Sequence, residues 1–329
     1  VAAGLLLGTV AFAGLGLLIA GTLRAEATLA LVNLLFLLSL VLGGLATETS
    51  VQFDPALARD RVLLDGREDA ETSARVSACL DELRREAGVD TRASVDSRND
   101  FPTGAGLASS ASGFAALVTA GAGALGLHLK DQRPAETARR GSGAAPRSLL
   151  GGVVLLTNRD ATTVCEQVAA PADWPLESVV AVTTTGPKET SSRLGMALSE
   201  QTSPYYDAWV QTHGADLAAG LAAVRARDFP ALAELAEHNC LKMHAVMLTT
   251  RPPLIYWTPA TLACLHRVQD LRRDGVPVFF TVDAGPQVKA VCLPRAADDV
   301  AAALAAIPGV LRILRSPLGE GARLRGSAD

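Results

Sequence analysis

The first 45 residues constrain the fold more than any other stretch. From Val1 to Leu23 there is no charged side chain; Arg24-Ala25-Glu26-Ala27 follows, and a second apolar run extends from Thr28 to Leu45. As helices the two runs would reach roughly 35 Å and roughly 27 Å at ~1.5 Å per residue, against a hydrocarbon core of ~30 Å. Hydropathy alone reads as a membrane hairpin or a signal-anchor. The flanks argue otherwise. No positively charged start precedes the apolar stretch, and the four-residue connector carries one charge of each sign, with no positive cluster to set an orientation. A third reading makes these residues strands and a helix of a soluble core.

After residue 45 the texture is that of a soluble protein mixing helices and strands. Thr47, Thr49, Val51 and Phe53 alternate as in a strand, Arg61–Leu64 is a second strand ended by the turn signal Asp65-Gly66, and Ser94–Ser97 is a third. Glu71–Ala87 is an amphipathic helix with Val76, Cys79, Leu80 and Leu83 on one face. Ser112–Leu127 is made of small apolar residues, as in a helix buried on several sides, and Gly152–Thr157 is a further strand. Pro171 and Pro175 mark a boundary, giving domains over 1–175 (with 1–45 the anomalous segment) and 176–329. In the second, Val179–Thr184, Val278–Asp283, Val288–Leu293 and Val310–Leu314 read as strands. Pro204–His213, Ala215–Ala226, Pro230–Met247, Pro259–Arg273 (capped by Thr258) and Ala296–Ala306 read as helices. The order strand–helix–strand–strand–helix–strand suggests a ferredoxin-like domain. The fold class is α+β.

The formal net charge of −4, with both signs mixed along the chain, argues against a nucleic-acid binder, which would show a basic stripe. A small anionic substrate needs only a local basic pocket. The five cysteines, Cys79, Cys165, Cys240, Cys264 and Cys292, are scattered without the close spacing of a zinc or redox site, and read as buried free thiols. No metal-ligating set is expected.

The chemistry concentrates in four segments. Asn99-Asp100-Phe101-Pro102-Thr103-Gly104-Ala105-Gly106-Leu107-Ala108-Ser109-Ser110-Ala111-Ser112-Gly113 lets the backbone approach a polyphosphate, with serine hydroxyls as donors and a helix N-terminus behind them. It is not a Walker A loop, and a shorter Gly-Leu-Ala-Ser-Ser would be explained by a turn and an N-cap. Arg139-Arg140-Gly141-Ser142-Gly143-Ala144-Ala145-Pro146-Arg147-Ser148 carries an arginine suited to a carboxylate, although a lone arginine is usually a surface charge. Lys188-Glu189-Thr190-Ser191-Ser192-Arg193-Leu194-Gly195-Met196 offers hydroxyls for phosphates. In Thr281-Val282-Asp283-Ala284-Gly285-Pro286-Gln287 a carboxylate ends an apolar strand before a Gly-Pro turn, a position more often held by a simple turn former.

Taken together and in this order, these segments resemble the diphosphomevalonate decarboxylases of the GHMP kinase superfamily, over roughly residues 46–320. The first resembles that family's phosphate loop. The second is similar to its Arg-Gly-Ser-Gly-Ser-Ala-Cys-Arg-Ser, with Pro146 for Cys. The third is similar to its Ser-Ser-x-x-Gly-Met, and the fourth to its Asp-Ala-Gly-Pro-Asn, with Gln287 for Asn. His238–Ala245 resembles the family helix that faces the cleft, yet His244 itself reads as a structural histidine. The resemblance implies a two-domain GHMP-kinase-like fold with the active site between the domains. It implies ATP and Mg²⁺ as cofactors, and an ATP-dependent decarboxylation of mevalonate 5-diphosphate. Asp283 would act at the tertiary hydroxyl and Arg147 at the substrate carboxylate. Gly104, Ala105, Gly106, Leu107, Ala108, Ser109, Ser110 and Ser112 would cradle ATP, with Ser109 also counted as catalytic. Ser142, Ser191, Ser192 and Arg24 would join Arg147 in holding substrate. Alternatives are a monophosphate decarboxylase, a 3-kinase, or a non-catalytic, membrane-anchored nucleotide binder. A cytoplasmic homodimer is expected.

The family's N-terminal Tyr-Trp-Gly-Lys-Arg-Asp is not found. Leu23-Arg24-Ala25 stands where Lys-Arg-Asp belongs, and no lysine precedes Lys130.

Overall fold

The computed structural model describes residues 46–100, 109–128, 133–159, 162–186, 189–190 and 192–324. Arg24, Ser191 and the segment 101–108 lie outside the described residues, as does the apolar stretch 1–45.

The first half is built on a three-stranded sheet of order β1-β3-β2, with β1 Thr47–Phe53, β2 Arg61–Leu64 and β3 Ala93–Asn99. β1 runs antiparallel to β3, and β2 runs parallel to it. After β2 the backbone turns through two positive φ values, 50° at Asp65 and 77° at Gly66, as Asp-Gly chemistry favours. Helix α1 (Ala70–Ala87) starts at Asp69, whose carboxylate accepts from the Thr72 N–H at 2.7 Å, and stops at Gly88 with φ 68°. It buries Val76, Cys79, Leu80 and Leu83, the face its periodicity predicts, against Phe114, Leu117 and Val118 of α2 (Ser109–Ala124). Arg84 of α1 is buried too, because Asp60 is buried beside it and ion-pairs with it.

The short helices α3 (Arg133–Gly141) and α4 (Ala145–Ser148), and the strand β5 (Thr162–Ala169) that pairs with β4 (Val153–Arg159), were not expected from periodicity. None shows a long one-sided apolar run. β5 exposes Glu166 and Gln167, and α4 is a single turn.

The second half follows the order β6 (Glu177–Val182), α5 (Ser192–Thr202), α6 (Tyr206–Ala226), α7 (Phe229–Leu248), α8 (Pro259–Arg273), β7 (Val278–Thr281), β8 (Val288–Cys292), α9 (Ala297–Ala305) and β9 (Arg312–Pro317). Its sheet order β7-β8-β6-β9, antiparallel throughout, is the ferredoxin-like arrangement. The two helices expected on either side of Gly214 are one continuous α6. A helical glycine costs only about 1 kcal/mol relative to alanine, and burial of Trp209, His213, Ala223 and Val224 along the same helix outweighs it. Strand β7 stops at Thr281, two residues short of the expected end, which places Asp283 in the following loop. Thr258 does cap α8, in a reciprocal box with Thr261.

One face of this sheet, with Val179, Ala181, Phe280, Val288, Ala290 and Cys292, packs on α8 and α9. The other carries Phe279 and Val291 into a cluster with Phe229, Leu232 and Ala236 of α7. Val153 of β4, Trp174, Leu176 and Leu318 belong to that second cluster, so both halves of the chain feed it. All five cysteines are buried free thiols. Among the described residues no helix is long and apolar enough to cross a membrane.

Candidate active site

Helix α2 presents an N-terminal first turn with no acidic side chain, so the positive end of its dipole is left uncompensated, as an anion site requires. Ser109 opens the helix. Ser110 is exposed and its Oγ lies 3.3 Å from Ser142 Oγ. Ser112 is drawn to the sheet instead, 2.7 Å from Thr47 Oγ1, which donates to Asn99 at 2.6 Å. Of the expected ATP-binding residues, Gly104, Ala105, Gly106, Leu107 and Ala108 lie outside the described residues. A serine-rich helix start free of carboxylates fits a polyphosphate. Among the described residues no group of three or more His, Cys, Asp or Glu is disposed to hold a metal ion.

Arg147 sits in α4, five residues beyond Ser142, and is 3% exposed. Burial pulls its guanidinium down to about 9, with the nearby Cys165 and Asp283 acting in the opposite direction. It stays charged at neutral pH, a cation withdrawn from water whose desolvation an acidic ligand would offset. The turn that carries it is clamped from behind. Ala322 N–H donates to Ser148 O at 2.9 Å and Gly152 N–H to Gly319 O at 2.8 Å, so the segment 319–322 is laid against residues 148–152.

Asp283 is held by a loop pinned at both ends. Gly285 N–H donates to Asp283 O at 2.7 Å, and Thr261 Oγ1 donates to Pro286 O at 2.7 Å. Gln287, fully buried, accepts from Thr183 N–H at 2.7 Å and donates to Thr184 O at 2.7 Å. The longer amide that replaces Asn in the resemblance thus ties the loop to the end of β6. The Asp283 carboxylate is 15% exposed, and its Oδ2 is ion-paired with the ammonium of Lys289 on β8.

His244 of α7 lies behind this loop, its Nε2 3.1 Å from Val282 O and 3.3 Å from the indole N–H of Trp257. Burial depresses it to about 4, against the Val282 carbonyl and the Asp283 charge. It is neutral, and its Nε2 contacts are made within the protein.

Ser110, Asp283 and the pair Ser142 and Arg147 come from three separate segments, and the fold links them through the Ser110–Ser142 contact and the charge that Asp283 exerts on Arg147. Ser192 begins α5; its segment is placed by Tyr256, whose hydroxyl donates to Thr190 O at 3.2 Å, and by Gly195, where a Cβ would lie 3.1 Å from that hydroxyl. Sequence reasoning missed Lys289. The signal was present: a single lysine inside the otherwise apolar Val288-Lys289-Ala290-Val291-Cys292.

A family model described as diphosphomevalonate decarboxylase-like N-terminal domain matches residues 36–166, and one described as mevalonate 5-diphosphate decarboxylase C-terminal domain matches residues 178–312. The diphosphomevalonate decarboxylase of Ganoderma lucidum is 35% identical over 269 residues, covering 74% of this chain and 67% of that protein. The phosphomevalonate decarboxylase of Haloferax volcanii is 33% identical over 245 residues, covering 74% of this chain and 75% of that protein. A solved structure of MDDEF in complex with MVAPP, AMPPCP and magnesium matches with a TM-score of 0.76 at 35% identity, over 85% of this chain and 87% of that one.

Proposed function

Because the chain belongs to the diphosphomevalonate decarboxylase family of the GHMP kinase superfamily, we propose that it converts mevalonate 5-diphosphate to isopentenyl diphosphate, with ADP, phosphate and CO₂ as the other products. ATP with Mg²⁺ supplies the phosphoryl group, in keeping with the nucleotide analogue and magnesium of the matching complex. The observation that carries the assignment of roles is the pinned Asp283 loop placed within electrostatic reach of the buried Arg147.

In this reading Asp283 takes or orients the proton of the substrate's tertiary hydroxyl as that oxygen becomes phosphorylated. Arg147 holds the carboxylate by two parallel hydrogen bonds until it is lost as CO₂ and the tertiary phosphate departs. Ser109 and Ser110, with the loop before them, would face the nucleotide, while Ser112 anchors their helix to β1; Ser142, Ser191, Ser192 and Arg24 would face the substrate. The division into an N-terminal unit over 1–175 and a C-terminal unit over 176–329, the homodimer and the cytoplasmic location belong to the same proposal.

The Haloferax relative favours a second reading, in which the substrate is the 5-monophosphate. Phosphorus NMR of reactions with each substrate separates the two: isopentenyl diphosphate or isopentenyl phosphate appears with ADP. Asp283→Asn should lower turnover at least ~10²-fold while ATP still binds. No ADP release from either substrate would leave a non-catalytic nucleotide binder, and an unimpaired Asp283→Asn would remove that residue from its role.

A further inference from the structure

We propose that Lys289 is the positioning residue for Asp283, fixing one carboxylate oxygen so that the other faces the reacting hydroxyl; this rests on the decarboxylase reading above. Lys289 is the second residue of the central strand β8, opposite Val180 of β6 and Thr281 of β7. Its alternate neighbours Val288, Ala290 and Cys292 enter the core under α8 and α9, so its own side chain belongs to the other face, with Val291 and Phe279. That face is apolar, and the lysine is only 3% exposed. An ammonium there is tolerated only if a charge partner receives it. The partner is the Oδ2 of Asp283, six residues back along the chain.

The geometry divides the carboxylate. Oδ2 is taken by Lys289, whereas among the described residues no hydrogen bond to Oδ1 is seen. The backbone under the lysine is a paired central strand and that under the aspartate is the pinned loop, so neither end of the ion pair can drift. Among the described residues four titratable groups feel the carboxylate's charge: Lys289 on β8, Arg147 on α4, and His244 and the Cys240 thiol on α7. Cys240 is a neutral thiol, pushed up to about 12 by burial, and His244 is neutral. Arg147 is reserved in this reading for the substrate's carboxylate, which leaves Lys289 as the cation dedicated to Asp283. It acts through that residue and touches no reacting atom.

The test uses Lys289→Met, which fills most of the same unbranched space and removes the charge. Turnover should fall about 10- to 100-fold with KM for both substrates within about threefold, since proton transfer and not binding is impaired. In an Asp283→Asn background the same substitution should cost almost nothing further. A general structural role would instead lower both backgrounds equally, and that additivity would overturn the proposal. Lys289→Arg keeps the charge and serves if the methionine variant does not fold. Its turnover should fall while KM holds, and a KM that rises in step with the loss would overturn the proposal. The carbon-13 chemical shift of the labelled aspartate carboxylate, taken at one fixed pH, reads the pair without substrate. An Asp283 signal unaffected by Lys289→Met refutes the pairing whatever the enzyme does. A shifted signal in a protein inactive on both mevalonate phosphates refutes the decarboxylase reading and the positioning role with it, leaving the ion pair intact.

Discussion

At the scale of single residues, the site is a set of charges kept where water does not reach them, and the neutral groups beside them matter as much. His244 is held neutral by burial, at about 4 against an ordinary value of about 6.5. A native pKa below the unfolded one means that the unfolded chain binds the proton first as pH falls. The contribution to stability is therefore complete above about pH 6.5 and is lost as pH drops toward about 4. His213, also depressed by burial, acts in the same direction. Denaturant midpoints should accordingly decrease between pH 7 and pH 5, and His244→Gln should flatten that dependence. If the substituted protein shows the same slope, the histidine is not the group responsible.

At the scale of elements, glycine sets how closely the helices behind Arg147 approach one another. A Cβ at Gly141, the last residue of α3, would lie 1.9 Å from Cδ1 of the buried Phe114 in α2. Phe114 cannot retreat, because the Arg75 guanidinium covers its ring at 4.9 Å and also donates to Gly141 O from Nε at 3.0 Å. Alanine gains about 1 kcal/mol over glycine in a helix, whereas overpacking costs about 1–3 kcal/mol. The overlap here is with a whole ring, so the upper end applies and Gly141→Ala should lose about 2 kcal/mol net, read from urea unfolding. At Gly143, two residues on, a Cβ would meet nothing within 4 Å, and Gly143→Ala should be close to neutral. Equal losses at the two positions would show that the helix contact is not what the glycine serves.

At the scale of the whole molecule, the two halves are joined by a shared apolar cluster and by the return of the segment 318–322. Trp174 and Leu176, at the boundary that the prolines suggested, are buried in that cluster. The return crosses at Gly321, where φ is +87° and a Cβ would lie 2.7 Å from Leu150 backbone atoms. Gly126 has a similar φ of +64° but open space around it. Gly126→Ala should therefore cost only the left-handed strain of about 1–2 kcal/mol. Gly321→Ala should cost more, and should also reduce turnover, because the displaced segment releases Ser148 next to Arg147. Matching losses, with activity untouched, would mean that the crossing does not support the site.

What the sequence determined by itself is whatever a short stretch of backbone requires. The Asp65-Gly66 turn, the apolar face of α1, the Thr258 cap and the Asp283 turn are local demands, legible because the residues that satisfy them are neighbours in the chain. The alternation of strands and helices after residue 176 was enough to suggest the ferredoxin-like order. Tertiary structure decided the rest. Gly214 reads locally as an interruption, yet burial on either side carries α6 through it. The strand β5 and the helices α3 and α4 are stabilised by what they pack on. Ser110 and Ser142 are 32 positions apart, and Arg147 and Asp283 more than a hundred, so only the fold brings them near one another. Lys289 falls between the two cases. A lysine within an apolar strand announces that it must be buried with a partner, but which carboxylate receives it depends on a loop folding back over the central strand, and no periodicity records that.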